Sequence, residues 1–191
     1  MPTVKWPEAV KPLLKKCKNT KHPLDYGSMY QLLVMVVLST QDSDKHINAI
    51  APKFFSAFPN MAALSQATPE AIQEQIGDVR NFGNKSKWLS ALSKLIKKDA
   101  NIPLTLDELT ALPGIGRKSA NVIKREAGAA AEGIIVDVHV VHVAPRLGIA
   151  TGEDAKKIEK QMMDILPPQE WLCLFWVGKY AGQLRPNARF V

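Results

Sequence analysis

Apolar and polar positions along the chain recur mostly with the period of helices, in short segments punctuated by thirteen prolines and eleven glycines. Between Ser28 and Thr40 the run MYQLLVMVVLS is apolar on nearly every side, which predicts a central helix buried all round. Gln41 and Asp42 end it, and Asp42 or Ser43 caps a second helix through about Phe58, with Ile47, Ile50, Ala51, Phe54 and Phe55 on one face and Pro52 bending it. Upstream, a basic helix is expected from Glu8 to Lys18, made irregular by Pro12, and then a loop over 19–26. Thr68-Pro69-Glu70 combines an N-cap, a proline at the first helical position and an acid in the first turn, so a helix starts there and ends near Gly77. Asn81-Phe82-Gly83-Asn84 reads as a turn. The helix expected over Lys85–Asp99 then has Trp88, Leu89, Leu92, Leu95 and Ile96 on one face and its lysines turned to solvent or phosphate. Thr105 and Glu108 have capping-box spacing, Pro113-Gly114 stops the short helix they open, and another helix runs from Arg117 to Ala127. Gly133–Val143 is rich in Val and Ile and would be a strand on propensity alone. Helices are expected at about 153–166 and 169–184, parted by Pro167 and Pro168.

Composition narrows the class of partner more than the fold. With 46% hydrophobic residues in 191, the chain is neither disordered nor low-complexity, and no repeat of solenoid period is present. Lys and Arg exceed Asp and Glu by 25 to 18, and the net charge of +7 favours an anionic partner such as nucleic acid. Two cysteines, Cys17 and Cys173, cannot supply the four thiolates of an iron-sulfur cluster and form no dense disulfide framework, so a reduced, intracellular setting is expected. The aliphatic stretch Leu32–Leu38 is far shorter than the ~20 residues that span a bilayer, and neither a membrane anchor nor a targeting segment is expected.

Chemistry concentrates in Leu112-Pro113-Gly114-Ile115-Gly116-Arg117-Lys118-Ser119, placed between two predicted helices. Two glycines two apart let the backbone turn sharply and approach another molecule closely, and the N–H groups opening the second helix then favour an anion. Such a hairpin grips a phosphate without reading a base, although a plain glycine turn in a helical hairpin would look the same. Lys118 lies in the first turn of that helix, where the positive dipole end and Arg117 disfavour the ammonium and would make the amine nucleophilic; a simple phosphate contact is the plainer role for a lone lysine. Asp137 follows nineteen residues later inside an apolar run, where a charge is costly unless it caps a helix, pairs with a cation or serves a site. His139 and His142, three apart, are read as packing or hydrogen-bonding residues rather than as a metal pair.

These residues, together with LLVMVVLSTQDSD (Leu32 to Asp44), LPGIGRKSANV (Leu112 to Val122), VDVHVVHVAPRLG (Val136 to Gly148) and WVGKY (Trp176 to Tyr180), resemble the helix-hairpin-helix DNA glycosylase superfamily, and within it the endonuclease III branch. The resemblance implies that Lys118 is the nucleophilic lysine, Asp137 the essential aspartate at a helix start, and Gln41 a glutamine filling the gap left by an extruded base. It also overrides the strand expected after Asp137 in favour of a helix over 138–147. Gly114, Ile115, Gly116, Arg117, Ser119 and Lys179 are then expected at DNA, and a structural monovalent cation at the main-chain carbonyls of Thr110, Leu112 and Ile115. Where the family presents an apolar wedge this chain has NFGNKSK (Asn81 to Lys87), so Phe82 or Asn84 is the candidate. Many relatives carry a four-cysteine cluster loop after the GKY-like segment. Here Ala181-Gly182-Gln183 follows, no iron-sulfur cofactor is expected, and Lys179, Arg185 and Arg189 become candidate replacement phosphate contacts.

The implied architecture is all-α, with two helical lobes and a DNA-binding cleft between them. One lobe is 25–127 with the helix-hairpin-helix at about 106–127; 1–24 with 128–191 forms the other and carries Asp137. The implied function is a monomeric bifunctional glycosylase and abasic-site lyase acting on damaged bases, oxidised pyrimidines first, in duplex DNA. Oxidised purines or mismatched bases are alternative substrates, and a non-catalytic helix-hairpin-helix DNA-binding protein is the alternative of a different class.

Overall fold

The computed structural model describes residues 5–11, 15 and 21–173. Among them every regular element is helical: α1 (Trp6–Ala9), α2 (Met29–Leu38), α3 (Asp44–Ala57), α4 (Met61–Gln66), α5 (Pro69–Ile76), α6 (Phe82–Ile96), α7 (Leu106–Ala111), α8 (Arg117–Glu126), α9 (Val138–Leu147) and α10 (Ala155–Ile165), with 3₁₀ turns at Asp99–Asn101 and Pro168–Cys173. No described helix is long and apolar enough to cross a membrane. The chain divides into two compact units, 22–129 and 1–21 with 130–191.

Local chemistry explains where the helices begin. The side chains of Ser28, Ser43, Asn60, Thr68, Thr105 and Asp154 each accept the N–H three residues on, filling one of the four donors a helix start leaves open. In the 22–129 unit α2 is the core: Leu32, Leu33, Val34, Met35 and Val37 are wholly buried, and the helix packs against α3, α6 and α8. Full burial of each such side chain is worth roughly 1.5–3 kcal/mol, enough to override the poor helix propensity of its valines. Around it, α4 and α5 pack on α6, and α7 on α8. In the other unit, Val10, Ile134, Val136, Val140, Ile158 and Met162 share one apolar cluster, and α9 packs on α10.

Four expectations need correction. The turn at Asn81 is shorter than expected, because Asn81 itself takes the left-handed conformation (φ +60°) and α6 starts at Phe82, with Gly83 and Asn84 already helical. Lys85 does not face solvent: it is 1% exposed and its Nζ donates to the carbonyls of Leu38 (2.7 Å) and Thr40 (2.6 Å), groups that the end of α2 leaves open. Residues 134–137 are irregular rather than a strand, with Ile134, Ile135 and Val136 buried, so burial and not sheet pairing accounts for their apolar character. The expected 169–184 helix is a 3₁₀ turn over Pro168–Cys173, and the remainder lies outside the described residues. Helix α4 has no counterpart among the expected elements, since six residues show too little periodicity to read. The N-terminal helix begins at Trp6, two residues early, and most of its expected extent lies outside the described residues.

Candidate active site

The hairpin between α7 and α8 is built by buried anchors and two unlike glycines. Leu112 and Ile115 are buried, and the N–H of Ile115 donates to the Leu112 carbonyl at 3.2 Å, closing the turn. Gly114 has φ +80°, and a Cβ there would lie 2.9 Å from Cε3 of Trp88 on α6, so this glycine is demanded by both backbone and packing. Gly116 is different. Its backbone is extended, and a Cβ would meet nothing within 4 Å, so the protein's own packing does not ask for glycine and the space above it is open.

Gly116 is the N-cap of α8 and supplies no capping side chain, and the first turn holds no acid. Ladder bonding begins at Ala120, whose N–H donates to the Gly116 carbonyl at 2.9 Å. The helix start therefore has no side-chain cap at its positive dipole end, where the N–H groups of Lys118 and Ser119 take no described side-chain acceptor, an arrangement that suits an anion. Lys118 is exposed in this turn, and its amine bonds to no described residue, whereas Ser119 is buried and Arg117 half-buried. At the other end Lys124 is buried and donates to the Leu104 carbonyl at 2.8 Å, and Tyr26 donates to Glu126 at 2.5 Å, fixing the helix in its unit.

Asp137 is the N-cap of α9 in the other unit. Its Oδ1 accepts from His139 N–H (3.0 Å) and Val140 N–H (2.9 Å), and the residue is half-buried. Both described bonds fall on one oxygen, so capping leaves Oδ2 and the charge for other work. His139 and His142 are exposed on α9, which removes packing, though not hydrogen bonding, from the roles expected of them; the buried face of that helix is set by Val140 and Ala144. Lys179, Arg185 and Arg189 lie outside the described residues.

Gln41 sits in the turn after α2 with φ +60°, exposed. Of the wedge candidates, Phe82 is 41% exposed as the first residue of α6, while Asn84 lies within the helix and donates from Nδ2 to Asn81 Oδ1 at 2.9 Å. The sequence marks Asp42 only as a helix end or cap and Asn81 only as part of a turn, and neither as a functional residue. Asp42 accepts from the N–H groups of Ser43 (2.8 Å) and Arg80 (3.0 Å) and pairs with His46 Nδ1 (2.9 Å). Burial pushes its pKa up, but these hydrogen bonds, Arg80 N–H foremost, outweigh that and hold it at about 2, so the carboxylate is ionised at any working pH. Its partner across the turn is 38 residues away, a separation that leaves no local pattern to read.

Residues 34–168 match the HhH-GPD superfamily base excision DNA repair protein family. Endonuclease III of Synechocystis sp. is 35% identical over 150 residues, covering 78% of this chain and 68% of that protein, and endonuclease III of Bacillus subtilis is 34% identical over 165 residues, covering 82% and 74%. Among solved structures, a trapped endonuclease III–DNA covalent intermediate in an estranged-adenine complex matches with a TM-score of 0.85 at 26% identity, over 98% of this chain and 90% of that one. A non-covalent endonuclease III–DNA complex matches at 0.77 and 29% identity, over 88% and 82%.

Proposed function

The chain belongs to the HhH-GPD superfamily of base excision DNA repair proteins, and from that premise we propose that it is a bifunctional DNA glycosylase and abasic-site lyase that works through Lys118 and Asp137 on damaged bases in duplex DNA, oxidised pyrimidines first. One observation carries the lyase half: an exposed lysine whose amine has no described partner, in the first turn of an uncapped helix that follows a glycine hairpin. A phosphate bound by the hairpin N–H groups would bring the backbone, and not a particular base, to that amine.

The chemistry follows from these groups. A base within the stack is out of reach at its sugar carbon, so the nucleotide must rotate out, at a cost of a few kcal/mol that phosphate contacts and bending offset. The neutral Lys118 amine attacks C1′ as the C1′–N bond to the base breaks with its electron pair. The Asp137 carboxylate stabilises the positive charge on the sugar and helps take the proton lost by the amine. Ring opening gives an iminium between Nζ and C1′. That cation acidifies the C2′ hydrogen, and β-elimination expels the 3′ phosphate, after which water releases the lysine. A lysine in this place is what joins base removal to strand cleavage.

The hairpin carbonyls of Thr110, Leu112 and Ile115 suit a structural monovalent cation. They are neutral oxygens, and the Leu112 carbonyl keeps a second lone pair beside its 3.2 Å bond from Ile115 N–H. Such an ion would stiffen the phosphate grip and take no part in the chemistry. Acting on duplex DNA, the protein would work inside the cell.

The deciding experiment is borohydride trapping over a panel of duplexes, each with one defined lesion. The wild-type protein is expected to form a covalent adduct with oxidised pyrimidines and with abasic sites. Lys118→Ala should give none while keeping duplex affinity within about tenfold, as for loss of a single phosphate-range charge; full trapping by that variant overturns the assignment.

A further inference from the structure

Three described residues other than glycine have positive φ, Gln41 and Asn81 at +60° and Lys97 at +65°, all exposed, and the first two are tied together. Residues other than glycine rarely adopt that conformation without being held there, and such positions cluster where a protein meets its ligand. Here the means of holding is visible. Asp42, next to Gln41, receives the N–H of Arg80, next to Asn81, and Lys85, one turn into the helix that Asn81 opens, donates to the carbonyls of Leu38 and Thr40. One link runs from the first turn to the second and the other runs back, so the two turns are fastened to each other at both flanks.

This double fastening is more than packing requires. Ser43 already caps α3, and α2 already packs against α6. The links fix instead the separation of two tips that carry primary amides, each with a carbonyl and an NH₂ group. Amides of this kind can enter the gap in a base stack and bond to the edge of whatever base is left without a partner. Asn81 Oδ1 accepts from Asn84, a bond that leaves the NH₂ group of Asn81 to donate elsewhere.

We propose that Asp42 is a positioning residue: its carboxylate, through the bond from Arg80 N–H and alongside the separate link of Lys85 to Leu38 and Thr40, locks the Gln41 and Asn81 turns into a single rigid edge that holds duplex DNA open while the damaged nucleotide is outside the stack. This rests on the glycosylase and lyase reading above. Asp42 touches no reacting atom, and its effect passes through Gln41 and Asn81. It matters only where there is a stack to be held open, which separates it from Lys118 and Asp137.

The test uses the full-length protein with Asp42→Ala and Asp42→Asn, two duplex measurements and one single-strand control. Single-turnover excision from a lesion duplex is expected to fall about tenfold or more in Asp42→Ala and by less in Asp42→Asn, which still offers one carbonyl acceptor. The fluorescence rise of a 2-aminopurine placed beside the lesion, which reports unstacking, should shrink in the same order. Cleavage of a single-stranded abasic oligonucleotide, where nothing is stacked, should stay within about twofold of wild type. Adding Gln41→Ala to Asp42→Ala should cost little beyond the single change, because both remove the same edge. Equal duplex rates in wild type and both variants, parallel losses on duplex and single strand, or losses that multiply in the double variant each overturn the inference. A wild-type protein unable to cleave an abasic duplex would instead sink the underlying reading of the enzyme.

Discussion

At position 137 one carboxylate oxygen serves the backbone, receiving the N–H groups of His139 and Val140, and the side chain has a second oxygen that takes no described bond. Capping and charge stabilisation are therefore separable by substitution. Asp137→Asn keeps an oxygen that caps and should melt within a degree or two of wild type. Asp137→Ala should lose about 1 kcal/mol of cap energy and roughly 2–4 °C in Tm for a chain of this size. Both remove the negative charge, and both should lower single-turnover excision by about 10²–10³-fold. Calorimetry beside excision kinetics checks the pair; an active Asp137→Asn would leave the residue a cap and nothing more. The same spacing of residues that draws attention to Asp137 in the sequence also marks a cap, which is why composition alone could not divide the two roles.

The hairpin element sets one glycine against the other. Gly114→Ala places a Cβ within 3 Å of the Trp88 ring at a positive φ, and a destabilisation of roughly 1–3 kcal/mol is expected, read as a lower midpoint in denaturant. Gly116→Ala meets no protein atom, so the loss in stability should stay within about 1 kcal/mol, the difference between glycine and alanine as N-cap, while duplex affinity drops because the new methyl occupies the space a phosphate would take. Equal effects of the two changes on affinity and stability would show that the hairpin is structural throughout. Both glycines stand out in the sequence as a pair two apart. Trp88, the reason one of them is irreplaceable, belongs to a helix 26 residues earlier and gives no sign of it there.

For the molecule as a whole, a net charge of +7 sets a salt-dependent attraction to DNA that is independent of any lesion. Neutralising Lys179, Arg185 and Arg189 together, as glutamines, is expected to flatten the plot of log affinity against log salt by up to about 3, near 0.9 for each phosphate no longer neutralised; an unchanged slope would mean that this segment does not touch DNA. At this scale the division of labour between sequence and structure is plain. The buried α2, the capped starts at Thr68 and Thr105 and the exchange of strand for helix after Asp137 were all legible, the first three from local pattern and the last from resemblance. Periodicity and capping are properties of neighbours along the chain. So too were the candidates Lys118 and Asp137, because the types and spacing of their flanking residues carry the resemblance. Tertiary structure alone decided the fate of Lys85, which its surroundings turn from a surface charge into a buried donor for the end of α2, and the union of the Gln41 and Asn81 turns through Asp42. Those bonds join residues 38 to 47 positions apart, and a polar side chain shows nothing of its distant partner until folding removes the water that would otherwise satisfy it.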